Sequence, residues 1–272
     1  MTPRVEPGVV GDGKIDKSVA TFARRPAAAI VPHDRVGLFL DVDGTLLAIA
    51  SAPGEVAVDA SLLQLLTELH QRLAGALALI SGRSIVDLDR LFAPLRLPAA
   101  GLHGWELRDA NGAISHPTPR HEPFAGSQRA LAEFASCHPG VLVEDKGMAM
   151  AVHYRNAPAA AKPAEQLALA IAATAGTDFV VLHGDSVVEI KPASYSKATA
   201  LTAFMREPPF RDRLPVFIGD DTTDQSGIEA TRALGGMAIA VGSRVYAPWF
   251  LPDPAAVRDW LRGLLAATGD QT

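Results

Sequence analysis

The sequence predicts an α/β fold: a parallel sheet covered by helices on both faces, with a second, hairpin-rich α/β unit inserted into it. Three observations carry that reading. From residue 36 onward, short apolar strands alternate with helix-length segments. Two of the strands, in "LFLDVDGTLL" (38–47) and "FIGDDTTDQ" (217–225), run straight from apolar residues into carboxylates. The middle of the chain, about 121–190, shifts to paired strands around tight turns, a pattern foreign to a parallel sheet.

Taken in order, "VGLFL" (36–40) is strand-like, and "ASLLQLLTELHQRL" (60–73) carries a helical leucine stripe with Asp59 or Ser61 as its cap. "ALALI" (76–80) is a continuous apolar strand, as expected where both faces of a sheet are covered. It runs into Ser81-Gly82-Arg83, after which "SIVDLDRLF" (84–92) begins a helix. "GVLVEDKGMAMAVHYR" (140–155) reads as two strands around an Asp145-Lys146-Gly147 turn. In the second strand Met148, Met150, Val152 and Tyr154 alternate with Ala149, Ala151, His153 and Arg155. A helix over about 158–175 and the strands "DFVVLHG" and "SVVEIK" follow. Lys197 opens another helix, "PVFIGD" (215–220) is a strand, "TTDQSGIEATRALG" (222–235) a helix and "MAIAVG" (237–242) a strand. "PAAVRDWLRGLLAAT" (254–268) closes the chain as an amphipathic helix with Pro in its first turn. The domain reading is a loose tail over 1–35, a core built from 36–120 and 191–272, and an inserted unit over 121–190.

Composition narrows the function. Of 272 residues, 48% are hydrophobic and 20% charged, which suits a folded globular chain, and the net charge of −5 offers no general attraction to nucleic acid. The single cysteine, Cys137, excludes an internal disulfide and any multi-cysteine metal site, and its "FASCHPG" setting reads as a helix end. No segment approaches the roughly 18 apolar residues of a membrane span. Arg24-Arg25 is followed by too short an apolar run for a twin-arginine signal, so the chain reads as cytoplasmic.

The acidic strand ends carry the chemistry. Side chains of a strand alternate, so Asp41 and Asp43 would face one way if the strand reached that far, and two ionised carboxylates about 5 Å apart repel by roughly 3 kcal/mol at an effective dielectric near 20. Asp220 and Asp221, with Asp224 a turn later, end a second strand, and ligands of doubly wound sheets sit beyond such strand ends. Hard carboxylate oxygens are what Mg²⁺ takes, with a substrate phosphate completing its shell. Ser81 and Gly82 lie where a strand becomes a helix, a place for phosphate, and Lys197 is a compact cation for an anionic nucleophile. Taken singly, "DxDGT" is also a turn, "SGR" a common loop, Lys197 a solvated helix residue and "GDD" a capped helix start. Their joint order in an α/β pattern is what points to a site.

"DVDGT", "SGR", the downstream lysine and "GDDTTD" resemble the four motifs of the haloacid dehalogenase (HAD) superfamily of phosphohydrolases. More narrowly, "GLHGWELRD" (101–109), "EDKGMAMAVHYR" (144–155) and "VVEIKP" (187–192) resemble the trehalose-6-phosphate phosphatases, over roughly residues 36–265. The resemblance implies a Rossmann-like core with an inserted α/β cap. It implies Mg²⁺-dependent hydrolysis of trehalose 6-phosphate through an aspartyl-phosphate on Asp41, with Asp43 as general acid and base. It assigns the metal to Asp41, the Asp43 backbone carbonyl and Asp220, with Asp221 and Asp224 supporting it from behind or through water. Ser81, Gly82 and Lys197 would bind phosphate, Lys197 also steadying the nucleophile.

For the sugar the resemblance points to Glu144, Lys146 and Glu189, with Arg155 and His153 nearby. His103 frames the site or makes a structural hydrogen bond; both readings stand. From the residues alone, Glu144, Asp145 and Lys146 form an exposed hairpin turn. Two departures from the family pattern are Gln225, where an acid is usual, and Ala198, where glycine is usual. The expected partner is a small sugar phosphate, with neither nucleic acid nor membrane, and association with the synthase that makes the substrate stays open. The competing functions are a broader sugar or polyol phosphatase with the same chemistry, and an inactive sugar-phosphate sensor.

Overall fold

The computed structural model describes residues 35–49, 57–116, 124, 126–176, 178–184 and 186–266. The expected tail before Arg35, the last residues of the expected terminal helix and the start of the expected inserted unit (121–123) lie outside them.

Two sheets organise the chain. The larger has eight strands in the order β12-β11-β10-β1-β2-β3-β4-β5. At its centre β1 (Val36–Leu40) lies parallel between β10 (Leu214–Gly219) and β2 (Leu77–Ile80), with Leu38 opposite Val216 and Leu40 opposite Ile218. Parallel pairing continues through β11 (Met237–Val241) and β12 (Trp249–Leu251) on one side and β3 (Ala99–Gly101) on the other. β4 (Glu106–Arg108) and β5 (Ile114–Ser115) add an antiparallel edge.

The chain leaves β1 for β2 in one direction and β10 for β11 in the other. Right-handed crossovers therefore put the linking helices on opposite faces of the sheet. Those helices are α1 (Ala60–Arg72), which follows β1, and α6 (Gln225–Ala233), which follows β10. α2 (Ile85–Leu91) leads from β2 to β3, α5 (Lys197–Phe204) packs on α6, and α7 (Pro254–Ala266) packs on α1. Covered on both faces, every residue of β1 and β2 is buried, which is why these strands read as unbroken apolar runs.

The smaller sheet is wholly antiparallel, in the order β6-β7-β9-β8. It is built from β6 (Leu142–Asp145), β7 (Met150–His153), β8 (Phe179–Gly184) and β9 (Val187–Pro192). Met150 and Val152 alternate with Ala151 and His153, and Val188 and Ile190 with Glu189. The apolar set packs under α4 (Ala161–Ala175), whose Ala164, Ala168 and Ile171 are buried against it, and α3 (Gln128–Cys137) adds Leu131. The other set is left on the opposite face. Cys137 closes α3 and is exposed.

Several local details differ from the sequence reading. Asp59, of the two candidates, caps α1 by accepting from the Leu62 amide at 2.9 Å, while Ser61 donates to Asp59. The segment after β10 begins as a 3₁₀ turn, Thr222–Asp224, because Asp221 and Asp224 cap each other's backbone amides there, and α6 starts only at Gln225. A 3₁₀ turn, Pro158–Ala160, likewise precedes α4.

Leu66 on α1 is fully buried in the core beneath the large sheet. Leu66→Ala is expected to destabilise the chain by about 2–5 kcal/mol, read as a lower denaturant midpoint at unchanged slope.

Candidate active site

Because β1 and β10 are neighbours running the same way, their carboxyl ends deliver Asp41 and Asp220 to one place, the switch point of the sheet. The 3₁₀ turn after β10 brings Asp224 beside them, and one oxygen from each of the three lies within 4.8 Å of the others. All three are buried. Asp224 accepts the backbone amides of Asp220 and Asp221 at 3.0 and 2.9 Å with one oxygen, which aims the other at Lys197.

Lys197, the first residue of α5, is 2% exposed and donates to Asp41 at 2.6 Å and to Asp224 at 2.5 Å. Burial opposes its charge, but the Asp224 and Asp41 carboxylates outweigh that and hold the ammonium above its ordinary value. One ammonium cannot neutralise three acids. Burial, then the Asp224 carboxylate and Asp220, push Asp41 well above the usual carboxylate range against the pull of Lys197. Burial and Asp224 raise Asp220 too, with Arg244 opposing. Among the described residues these three acids meet two cations, Lys197 and Arg244, and a cluster of hard, buried oxygen donors still short of positive charge fits a divalent cation.

Two glycines make room for this packing. Gly44 has φ +88°, and a Cβ there would strike the Asp220 carboxylate. At Gly82 a Cβ would lie 2.8 Å from His103 Nε2. The "DGT" and "SGR" glycines are thus spaces for the side chains opposite. Thr45 of the first motif donates to Asp220 Oδ1 at 3.0 Å and so joins the two acidic strand ends.

The other expected residues surround one cleft of about 800 Å³ between the two sheets, which Asp41, Asp43, Ser81, Gly82 and Lys197 line from the large-sheet side. Asp43 is gripped by Arg83 through two hydrogen bonds, Nε to Oδ2 at 2.6 Å and Nη2 to Oδ1 at 2.7 Å. Ser81 is buried, and its hydroxyl accepts the Arg83 amide at 3.1 Å. Asp221 lines the same cleft, where it caps Thr222.

From the small sheet, pairing aligns Glu144, Ala151, Glu189 and Leu182 in one row across four strands. Lys146, on the turn after β6, is turned inward: its Nζ lies 3.4 Å from Glu189, 3.9 Å from Glu144 and 3.2 Å from the Gly82 carbonyl. His153 bonds Glu144 at 2.9 Å, and Arg155 lines the cleft. His103, in a left-handed conformation, bonds Glu189 at 3.1 Å. Burial pushes the Glu189 carboxyl up, but His103 and Lys146 outweigh it and bring it down to about 2.

Sequence reasoning assigned no role to Arg83, Thr45 or Arg244. Arg83 and Thr45 stand inside motifs that it quoted. Arg244 follows β11 at the same carboxyl edge of the sheet; its Nη2 bonds Asp220 Oδ2, and its Nη1 lies 3.8 Å from Asp221. The strand-end rule that found the acids reaches this loop as well.

Buried acids around a paired lysine, at the carboxyl edge of a parallel sheet, are the site of a phosphatase. The family model described as trehalose-phosphatase matches residues 39–255, and the chain belongs to that family. It is 43% identical over 235 residues to a probable trehalose-phosphate phosphatase of Sinorhizobium fredii, covering 86% of this chain and 88% of that one. It is 42% identical over 233 residues to the trehalose-6-phosphate phosphatase of Escherichia coli, covering 84% and 86%. In fold it resembles the C-terminal domain of the C. albicans trehalose-6-phosphate phosphatase, with a TM-score of 0.77 at 19% identity over 86% of this chain and 92% of that one. Among the described residues, no helix is long and apolar enough to cross a membrane.

Because Glu189 sits near 2 here against an ordinary 4.5, it favours the folded state fully above about pH 4.5, and that contribution fades as pH falls toward 2. Glu189→Gln is expected to lower the unfolding midpoint at neutral pH, where Lys146 and His103 lose their partner, and to flatten the decline between pH 4.5 and 2 in a pH series of thermal melts. Gly44→Ala should cut turnover at least tenfold by moving Asp220, with the residual rate read at saturating Mg²⁺.

Proposed function

We propose that this chain hydrolyses trehalose 6-phosphate to trehalose and phosphate in a Mg²⁺-dependent reaction that passes through an aspartyl-phosphate on Asp41. The observation that carries the reading is one cleft holding both halves of the task. Asp41, bonded to a buried lysine beside two more acids, lies on one wall, and the Glu144–Glu189 row with Lys146 lies on the other.

Asp41 and Asp220 would hold the ion with the backbone carbonyl of Asp43, and Asp224 stands close enough to share in it. Bound there, Mg²⁺ would offset the charge of the phosphoryl oxygens and of the acids around them. Lys197 keeps its positive charge against Asp41 and lowers the cost of bringing a phosphate dianion to a carboxylate. Asp41 attacks phosphorus, and the bond from phosphorus to the sugar oxygen breaks. Asp43 gives that oxygen a proton, then takes one from the water that cleaves the aspartyl-phosphate and restores Asp41. Arg83 holds both Asp43 oxygens, so one of them is released to the sugar for each transfer. The Ser81 hydroxyl and the Gly82 backbone line the place for the remaining phosphate oxygens.

Sugar hydroxyls pair with mixed donors and acceptors, and the small-sheet wall supplies two carboxylates, an ammonium and the His153 imidazole, while the turn after β3 adds the His103 imidazole from the other wall. Lys146 and His103 also tie the two walls together, closing the cleft over the reacting bond.

Phosphate release from a panel of phosphorylated hexoses and disaccharides tests this. Trehalose 6-phosphate is expected to be turned over far faster than the rest, with activity abolished by Asp41→Asn or EDTA and reduced about 10²–10⁴-fold by Asp43→Asn. Glu144→Ala should erase much of the preference. Equal rates across the panel, indifferent to Glu144→Ala, would replace this reading with a broad sugar phosphatase. Tight binding without release would replace it with a sensor.

A further inference from the structure

Arg244 has no part in the scheme above, yet it touches the acid cluster directly. Its Nη2 bonds Asp220 Oδ2, while Asp220 Oδ1 accepts from Thr45 at 3.0 Å, so both oxygens of that carboxylate are engaged. Gly44 packs against the same carboxylate and leaves Asp220 no slack on that side. A divalent cation that uses Asp220 would therefore share an oxygen with one of these two donors, since each carboxylate oxygen keeps a second lone pair. Thr45 is neutral, and its hydroxyl can rotate. Arg244 carries a full positive charge that a dication repels at close range.

The two cations of the cluster differ in burial. The Lys197 side chain is 3% exposed and bonded to two acids, whereas that of Arg244 is 32% exposed, on a loop at the rim of the cleft. A second carboxylate already stands within reach, with Arg244 Nη1 3.8 Å from Asp221 Oδ1. Asp221 is half-buried at the same rim and makes its own cap to Thr222.

We infer that Arg244 is a positioning residue that competes with the divalent cation for Asp220 and shifts to Asp221 when the cation binds, so that it sets how tightly the chain holds its metal. The inference rests on the reading of Asp41, Asp220 and Asp224 as a divalent-cation site. Arg244 would then weaken metal binding while stabilising the metal-free protein, two effects of opposite sign. A residue that merely held the loop in place would not produce that pair.

The test is calorimetric titration of Mg²⁺ into the full chain, stripped beforehand with EDTA and dialysed, for the wild type and Arg244→Met. Thermal unfolding midpoints are taken without Mg²⁺ and at saturation. Arg244→Met is expected to bind Mg²⁺ about tenfold more tightly, to melt lower without the ion and to gain more from it. Arg244→Lys, which restores a cation, should return the affinity to within about threefold of wild type. Should the methionine variant fail to fold, Arg244→Gln carries the same comparison. Unchanged or weaker binding in the uncharged variant overturns the inference while leaving the cation site intact. A wild-type chain that takes up no Mg²⁺ overturns both.

Discussion

Three carboxylates are buried at one point, and the burial of their charge is the constraint on which the rest of the site depends. Two of them come from strands more than 170 residues apart in the chain, joined because β10 pairs with β1. The missing Cβ at Gly44, the hydroxyl of Thr45, the doubly bonded ammonium of Lys197 and the guanidinium of Arg244 all answer that charge or accommodate it. Clustered buried acids raise one another's affinity for protons, and the cations around them oppose that.

The second sheet does a different job with simpler means. Its alternation sends Met150, Val152, Val188 and Ile190 under an alanine-rich helix and turns Glu144 and Glu189 toward the cleft. Ala151 is set between the two glutamates in register and is fully buried. Lys146 reaches from this sheet to the Gly82 carbonyl of the other, and Glu189 meets His103, so the two halves of the cleft share polar contacts.

Much of this was legible before the structure. Strands covered on both faces announce themselves as apolar runs, and α1 and α7 as amphipathic stripes, because burial writes those periods into sequence. The short pieces were not legible. β3, β4, β5 and β12 have two or three residues each, too few to show alternation, and they are held by neighbours rather than by pattern. The 3₁₀ turn at Thr222–Asp224 arises from capping geometry that a helical pattern hides. In the site, residues that end strands could be picked out, since an acid after an apolar run is conspicuous. The grip of Arg83 on Asp43 and the reach of Arg244 to Asp220 depend on which loops the topology lays side by side, and no spacing in the chain encodes that.

The alternation in β7 and β9 separates two kinds of change that most binding sites entangle. Positions 153 and 189 face the cleft, while 150, 152, 188 and 190 face the helix, so a mutation that alters the cleft wall need not disturb the apolar packing beneath it. On the proposed reading, lineages descending from such a chain could explore new phosphate esters one residue at a time along two neighbouring strands, while the opposite wall stays as it is.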